Sequence, residues 1–273
     1  MIGKLEKLAG YAVLVVASLF AIVPIIGVII MALQPADGSA ASLSLLDAHH
    51  IENFSQVWEA ANFGASMRTS AILTGTTVIL TVMLSVPAGY ALALIQFRGA
   101  GIVFYLFLLG LLIPLEGMIV PLYFDLHSLG LANSYWAVIL PNTALSLAFG
   151  IFWMRAAFLN CERTLVEAAR MDGAGTLMIL RRVLFPLVRP MVLTLAVLIF
   201  AWTWNDFLMP LVMLSGSDLQ TAPMSLTYFQ GQHMTNYAYL ASAAIITALP
   251  VVVIYLLAQR AFVRGIMSGA LKG

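Results

Sequence analysis

Two carboxylic acids stand inside otherwise apolar runs of this sequence. Glu116 lies within Ile113-Pro114-Leu115-Glu116-Gly117-Met118-Ile119-Val120-Pro121, and Asp206 within Trp202-Thr203-Trp204-Asn205-Asp206-Phe207. An acid in such surroundings can line a polar path for a solute, or it can fix helix packing through a hydrogen bond. Both uses stay open here: Glu116, Trp204, Asn205 and Asp206 are the candidate path residues, and Arg68 is a candidate partner for the structural role. Pro114 and Pro121 would loosen a helix around Glu116 and free carbonyls to face a cavity. Trp202 and Trp204 read first as an aromatic belt at a membrane surface. Stacking on a sugar ring is the other use of an indole face.

A second constellation is basic. Thr164-Leu165-Val166-Glu167-Ala168-Ala169-Arg170-Met171-Asp172-Gly173-Ala174-Gly175 is followed by Thr176 to Leu184, then Phe185-Pro186 and Pro190. Thr164 and Glu167 have capping-box spacing, which predicts a short helix starting there. Gly173 suits the left-handed residue that ends it. A second short helix from Thr176 is expected to stop at Pro186. The product is a helix–glycine–helix corner with a small-residue face (Ala168, Ala169, Ala174) and arginines on both arms, a shape suited to insertion into a groove of another protein. Contact of the arginines with anionic lipid would explain the charge but not this order of elements.

Other chemistry is missing. There is no G-x-x-x-x-G-K-[ST] phosphate loop, no H-E-x-x-H and no G-x-S-x-G elbow. His49, His50, His127 and His233 are spaced like solvated loop residues rather than metal ligands, so no metal site is expected. Cys161 is the only cysteine, which excludes an internal disulfide and a C-x-x-C motif. The chain reads as something other than an enzyme, with no catalytic residue to name.

The elements that must position these residues follow from composition. Of 273 residues 62% are hydrophobic and 9% charged, against about 25% charged in soluble domains. The solvent is lipid. A net charge of +1 argues against nucleic acid as a partner. Residues 8–36, 69–97, 126–154 and 219–259 carry no Asp, Glu, Lys or Arg, and a bilayer-crossing helix needs about 20 apolar residues. Six spans are expected, at about 11–33, 70–95, 102–124, 136–157, 190–214 and 239–260, in an all-α polytopic membrane protein forming one domain over 1–273. Unbroken apolar runs exclude a barrel, which would alternate with period two. The first run is too long for a signal peptide and is expected to remain as an anchor.

Counting Lys and Arg by side sets the orientation. With the N-terminus inside, twelve of the thirteen fall in the cytoplasm and only Arg68 lies outside. Both termini are therefore expected to be cytoplasmic, as is the loop of about 158–189 between the fourth and fifth spans. Residues 34–66 outside are acidic, and Asn53 to Ala61 can form an amphipathic helix. Interfacial anchoring by Phe54 and Trp58 is its favoured role, and docking of an external protein is the alternative.

Glu167-Ala168-Ala169, Asp172-Gly173-Ala174, Val183-Phe185-Pro186 and Pro190 together resemble the EAA loop of ABC importer membrane subunits. The likeness runs along nearly the whole chain and is nearest the second permease of maltose-type carbohydrate importers. It includes Pro121-Leu122-Tyr123, Leu129-Gly130-Leu131, Trp204-Asn205-Asp206-Phe207, Leu219-Gln220-Thr221 and the tail Phe262 to Gly273. It departs at Cys161-Glu162, where the family usually has Ile-Pro, and at Leu177 and Leu180, where aromatics are common. The resemblance implies a type I ABC importer permease fold in a bacterial or archaeal plasma (inner) membrane. It implies that Glu167, Ala168, Ala169, Asp172, Gly173, Ala174 and Pro186 couple to a cytoplasmic ATPase, and that Gly269, Ala270, Lys272 and Gly273 reach between two ATPase copies. ATP and Mg would be bound by those ATPases, with no cofactor in this chain. The remaining implied partners are a homologous second permease, an extracytoplasmic binding protein and a carbohydrate. Without the resemblance, an ion- or proton-coupled secondary transporter using Glu116 and Asp206 is the rival reading.

Overall fold

The structure, a computed structural model, describes residues 3–36, 44, 47–95, 97–230 and 235–270, with the backbone alone at 4, 5 and 260–270. It is helical: α1 (Lys4–Ala32), α2 (Glu52–Ala60), α3 (Phe63–Leu94), α4 (Ala100–Gly110), α5 (Leu115–Ser128), α6 (Tyr135–Leu159), α7 (Arg163–Met171), α8 (Thr176–Met178), α9 (Phe185–Trp204), α10 (Leu208–Met213), α11 (Ala222–Ser225) and α12 (Tyr237–Ala270). Among the described residues the one extended pairing is a single bridge between Gln230 and Thr235. Five continuous helices are long and apolar enough to cross a membrane: Glu6–Ala32, Phe63–Leu94, Tyr135–Leu159, Thr176–Trp204 and Tyr237–Gln259. A sixth crossing results if α4 and α5 count together. The all-α architecture is as the apolar runs require, because in lipid every backbone polar group must be paired within its own segment.

Three stretches depart from straight spans. The segment expected as one helix over 102–124 bends by 95° between α4 and α5. Pro114, which has no N–H to continue the ladder, stands at the start of α5. Leu111 and Leu112 close α4 with short-range bonds to Leu108 and Leu109. Second, the stretch expected at 190–214 ends at Trp204, where Asn205, Asp206 and Phe207 separate α9 from α10. The Asn205 amide donates to the Ala201 carbonyl at 2.8 Å, and the Asp206 carboxylate accepts the Met209 N–H at 3.2 Å. Short polar side chains that bond nearby backbone are what ends one helix and begins the next. Third, Pro186 does not stop the helix that begins at Thr176. A π-turn at Ile179–Leu184 changes the hydrogen-bond register, and Pro186 falls in the first turn of α9, where a missing N–H costs little.

The chain divides into two compact units, Met1–Met67 with Ala222–Leu249, and Arg68–Thr221 with Pro250–Gly273. In the first, α1 turns its apolar side chains outward along most of its length, from Leu8 to Ile29. Its C-terminal end is held by side chains of other helices. The Ala32 carbonyl accepts from Asn53 Nδ2 at 2.9 Å and from Ser242 Oγ at 3.1 Å. Asn53 also donates to the Gln34 carbonyl at 2.8 Å. These bonds satisfy carbonyls that a helix end leaves without partners. The amphipathic segment expected at 53–61 is α2, with Asn53 and Val57 buried and Trp58 half exposed.

The second unit carries the core that positions the functional residues. Met154 and Phe158 of α6 pack with Leu184, Val188, Leu195 and Ile199 and with Val166 of α7. α3 and α6 approach so closely that a Cβ on Gly150 would lie 2.1 Å from Ser85 Oγ. One on Gly89 would lie 2.6 Å from the Met154 Cβ. Small residues at such crossings let backbones meet, which replaces the hydrophobic drive that lipid removes.

Candidate functional site

The first site is the corner after α6. α7 begins at Arg163 with Glu162 as its N-cap and no side-chain cap bond. The capping box expected from Thr164 and Glu167 therefore does not form, because both already lie inside the helix. Its end matches expectation. Gly173 has φ +81°, its N–H bonds the Arg170 carbonyl at 3.0 Å, and the Ala174 N–H reaches back to Ala169 at 2.9 Å. This pair of bonds is the Schellman arrangement, which requires a left-handed residue at Gly173.

That turn sorts the faces of the corner. Val166 is buried, and Ala169 and Ala174 pack against the core formed by Ile179, Leu180 and Leu184. Glu167, Ala168 and Asp172 are exposed. Large apolar side chains project around the turn as well: Met171 is 89% exposed, and Leu177, Met178 and Leu165 are exposed beside it. Leu177 and Leu180, equivalent in the sequence reading, separate here, since Leu180 is buried. A cavity of about 240 Å³ runs along α7 beside the end of α3, lined by Ala93, Leu94, Arg163, Val166, Glu167 and Arg170. Among the described residues Glu167 forms no salt bridge, and it shares this cavity with Arg163 and Arg170.

The second site surrounds Asp206. Its Oδ2 accepts from Asn142 Nδ2 of α6 at 2.9 Å, while Oδ1 takes the Met209 N–H. The packing partner of Asp206 is thus Asn142, and not the exposed Arg68. Both residues line a cavity of about 380 Å³, with Leu111, Leu115, Leu145, Ser146, Phe149, Trp202 and Thr203. Trp202 is half exposed and meets Phe149 edge-on at 4.9 Å.

The other path candidates are not gathered there. Glu116 is exposed in the first turn of α5 and lines neither cavity. Trp204 is buried and stacked on Phe200 at 5.4 Å, and Asn205 is exposed with its amide bound to Ala201. Asn142, Ser146 and Phe149 were not singled out from sequence; the one signal was the amide of Asn142 within a charge-free apolar run. Gly269 and Ala270 end α12, and Lys272 and Gly273, with His233, lie outside the described residues. Among the described residues no cluster of His, Cys, Asp or Glu could hold a metal ion.

Residues 85–268, which include both sites, match the family model described as binding-protein-dependent transport system inner membrane component. The chain belongs to this family. It is an ABC importer permease subunit, a multi-pass inner-membrane protein and a transporter component rather than an enzyme. The permease is 36% identical over 85% of its length to the probable ABC transporter permease protein YurM of Bacillus subtilis, covering 77% of that protein. It is 34% identical over 81% of its length to the melibiose/raffinose/stachyose import permease MelC of the same organism, covering 80% of it. Among solved structures, a bacterial ABC transporter involved in import of the acidic polysaccharide alginate matches with TM-score 0.75 and 21% identity, over 95% of this chain and 98% of that one. The fold is that of an ABC importer permease. The family implies an ATPase, a substrate-binding protein and a second permease as partners.

Proposed function

We propose that this permease imports a carbohydrate, in a complex with a homologous second permease, two copies of a cytoplasmic ATPase that bind ATP and Mg, and an extracytoplasmic binding protein. The whole chain serves as one permease domain, with both termini and the α7 corner on the cytoplasmic side, where the basic residues concentrate. Relatives named for melibiose, raffinose and stachyose, diacetylchitobiose, arabinooligosaccharides and trehalose support a small oligosaccharide as cargo.

The observation that carries the mechanism is the rigid corner closed by the left-handed Gly173, with Glu167 and Met171 exposed on it. Its buried face, through Val166 and Ala169, packs on the core that includes α9. A pull on the corner is therefore delivered to a membrane-crossing helix. Glu167 pairs with a cation of the ATPase, the apolar side chains around Gly173 fill its groove, and the tail from Gly269 to Gly273 reaches between the two ATPase copies. ATP binding closes the ATPase pair, which holds the corners in one of two positions. Access alternates because the nucleotide binds the two states with different affinity, the only way a ligand shifts an equilibrium. Asp206 lines the path the sugar follows.

The test is Glu167→Ala in the assembled complex. The expected result is less co-purifying ATPase and reduced uptake of radiolabelled melibiose or trehalose, with membrane insertion unchanged. Wild-type co-purification together with wild-type uptake would remove Glu167 from the coupling contact.

A further inference from the structure

We propose that the cavity between α7 and the end of α3 binds the phosphate of an anionic phospholipid, gripped by the guanidiniums of Arg163 and Arg170. It rests on the reading that sets the α7 corner at the inner membrane surface and goes beyond it, because it gives the corner a lipid ligand besides the ATPase.

The cavity is lined with charge that the protein itself leaves open. Arg163, Glu167 and Arg170 stand at i, i+4 and i+7 of α7 and form one stripe, which shares the cavity with Ala93 and Leu94 of α3. Two cations meet one anion there, and among the described residues none of the three forms a salt bridge. Arg155 nearby is engaged: its Nε donates to the Leu92 carbonyl at 3.3 Å, and its guanidinium covers the Phe104 ring at 4.1 Å. Arg163 and Arg170 keep their planar forks for an anion, and such a fork matches two oxygens of a phosphate. When Glu167 turns to a cation of the ATPase, the two positive charges are left facing the cavity.

Position and size select a lipid over a soluble phosphate. α3 has 32 residues, about 48 Å at 1.5 Å per residue, against a hydrocarbon core about 30 Å thick. Its ends therefore pass beyond the hydrocarbon, and the last turn stands in the headgroup layer. Ile95 and Phe97, which follow, are exposed and offer an apolar seat for the start of the acyl chains. At about 240 Å³ the cavity is smaller than the roughly 300–1,000 Å³ of sites that enclose whole small molecules. It admits a headgroup and leaves the remainder outside, as basic pockets between membrane helices do with anionic headgroups. The exposed apolar side chains of the corner, Met171, Leu177 and Met178, gather around Gly173 instead, so the corner can hold lipid and ATPase together.

The experiment uses the wild-type importer with its ATPases in nanodiscs of phosphatidylcholine, with or without phosphatidylglycerol, and in phosphatidylcholine with inorganic phosphate in the buffer. Amide exchange in residues 163–170, read by mass spectrometry, should slow only with phosphatidylglycerol. Slowing by inorganic phosphate alone, or slowing in neither case, overturns the lipid site. Arg163→Gln and Arg170→Gln should each raise the phosphatidylglycerol fraction needed for half the effect about fivefold, the contribution of one arginine near an anionic surface. Arg98→Gln removes the same charge outside the cavity and should leave that fraction unchanged. An equal shift by Arg98→Gln would show a diffuse attraction and overturn the site. Each variant is compared only where its exchange in pure phosphatidylcholine matches wild type; should both glutamine variants fail that check, the wild-type comparison still decides. Removing the ATPase from the same samples should speed exchange in residues 171–178. If it does and phosphatidylglycerol has no effect, the lipid site alone falls. If neither changes exchange, the docking role of the corner falls and the lipid site with it.

Discussion

Replacing Gly173 isolates the role of the corner from every contact it makes. Nothing lies within 4 Å of a Cβ built on this residue, so Gly173→Ala introduces no clash. Its whole effect is conformational, because an L-residue at φ +81° lies in the left-handed region at a cost of about 1–2 kcal/mol. That corresponds to about a five- to thirtyfold change in the equilibrium between the formed and unformed corner. An ATPase that grips only the formed corner loses apparent affinity by at most that factor. Gly173→Asn should cost less, since Asn tolerates this region. Gly173→Pro should cost about 3 kcal/mol or more, because it fixes φ near −65° and deletes the N–H that bonds Arg170. Gly175 provides the control: it also has open space around it, but at φ −72°, so Gly175→Ala should be neutral. Titrating purified ATPase onto the permease in nanodiscs gives the order wild type and Gly175→Ala, then Asn, Ala and Pro at 173. Equal binding by the three Gly173 variants and wild type would refute the idea that the left-handed turn presents the docking surface.

Further outcomes follow from the packing and the charges. Gly150→Ala forces its Cβ against Ser85 and should lower stability by about 1–3 kcal/mol; Ser85→Ala should relieve part of the loss, and an unchanged thermal midpoint in detergent would contradict the close α3–α6 crossing. Asn53→Leu removes donors from the Ala32 and Gln34 carbonyls and should cost about 1–3 kcal/mol, seen as faster protease cleavage after Ala32; wild-type resistance would show that other donors suffice. Glu52 is held below the ordinary carboxylate range by its own backbone N–H and then by the His50 ring. Its stabilising contribution is therefore present above the ordinary value of 4.5 and is lost as pH falls through the lowered one. Carbon-13 titration of Glu52 should show that depressed midpoint, and a midpoint at or above the ordinary value would exclude the bond.

The membrane setting, the helical class and the corner were determined by sequence alone, because each depends on local composition. A run without charge can be stable in lipid only as a helix that pairs its own backbone. Gly173, three residues after Arg170 in a polar helix, marks its left-handed stop in any surroundings. What required tertiary structure was whatever depends on which face meets which neighbour. The 95° bend at Pro114, the end of α9 before Asp206, and the π-turn that carries the chain past Pro186 are settled by backbone register as well as by residue type. Trp202 and Trp204 read alike in the sequence, and only the position of Phe149 and Phe200 sends one into a cavity and the other into the core. Likewise Asp206 and Asn142 are 64 residues apart. No periodicity connects two positions at that distance; they meet because α6 and α9 pack side by side, which leaves Glu116 outside their site.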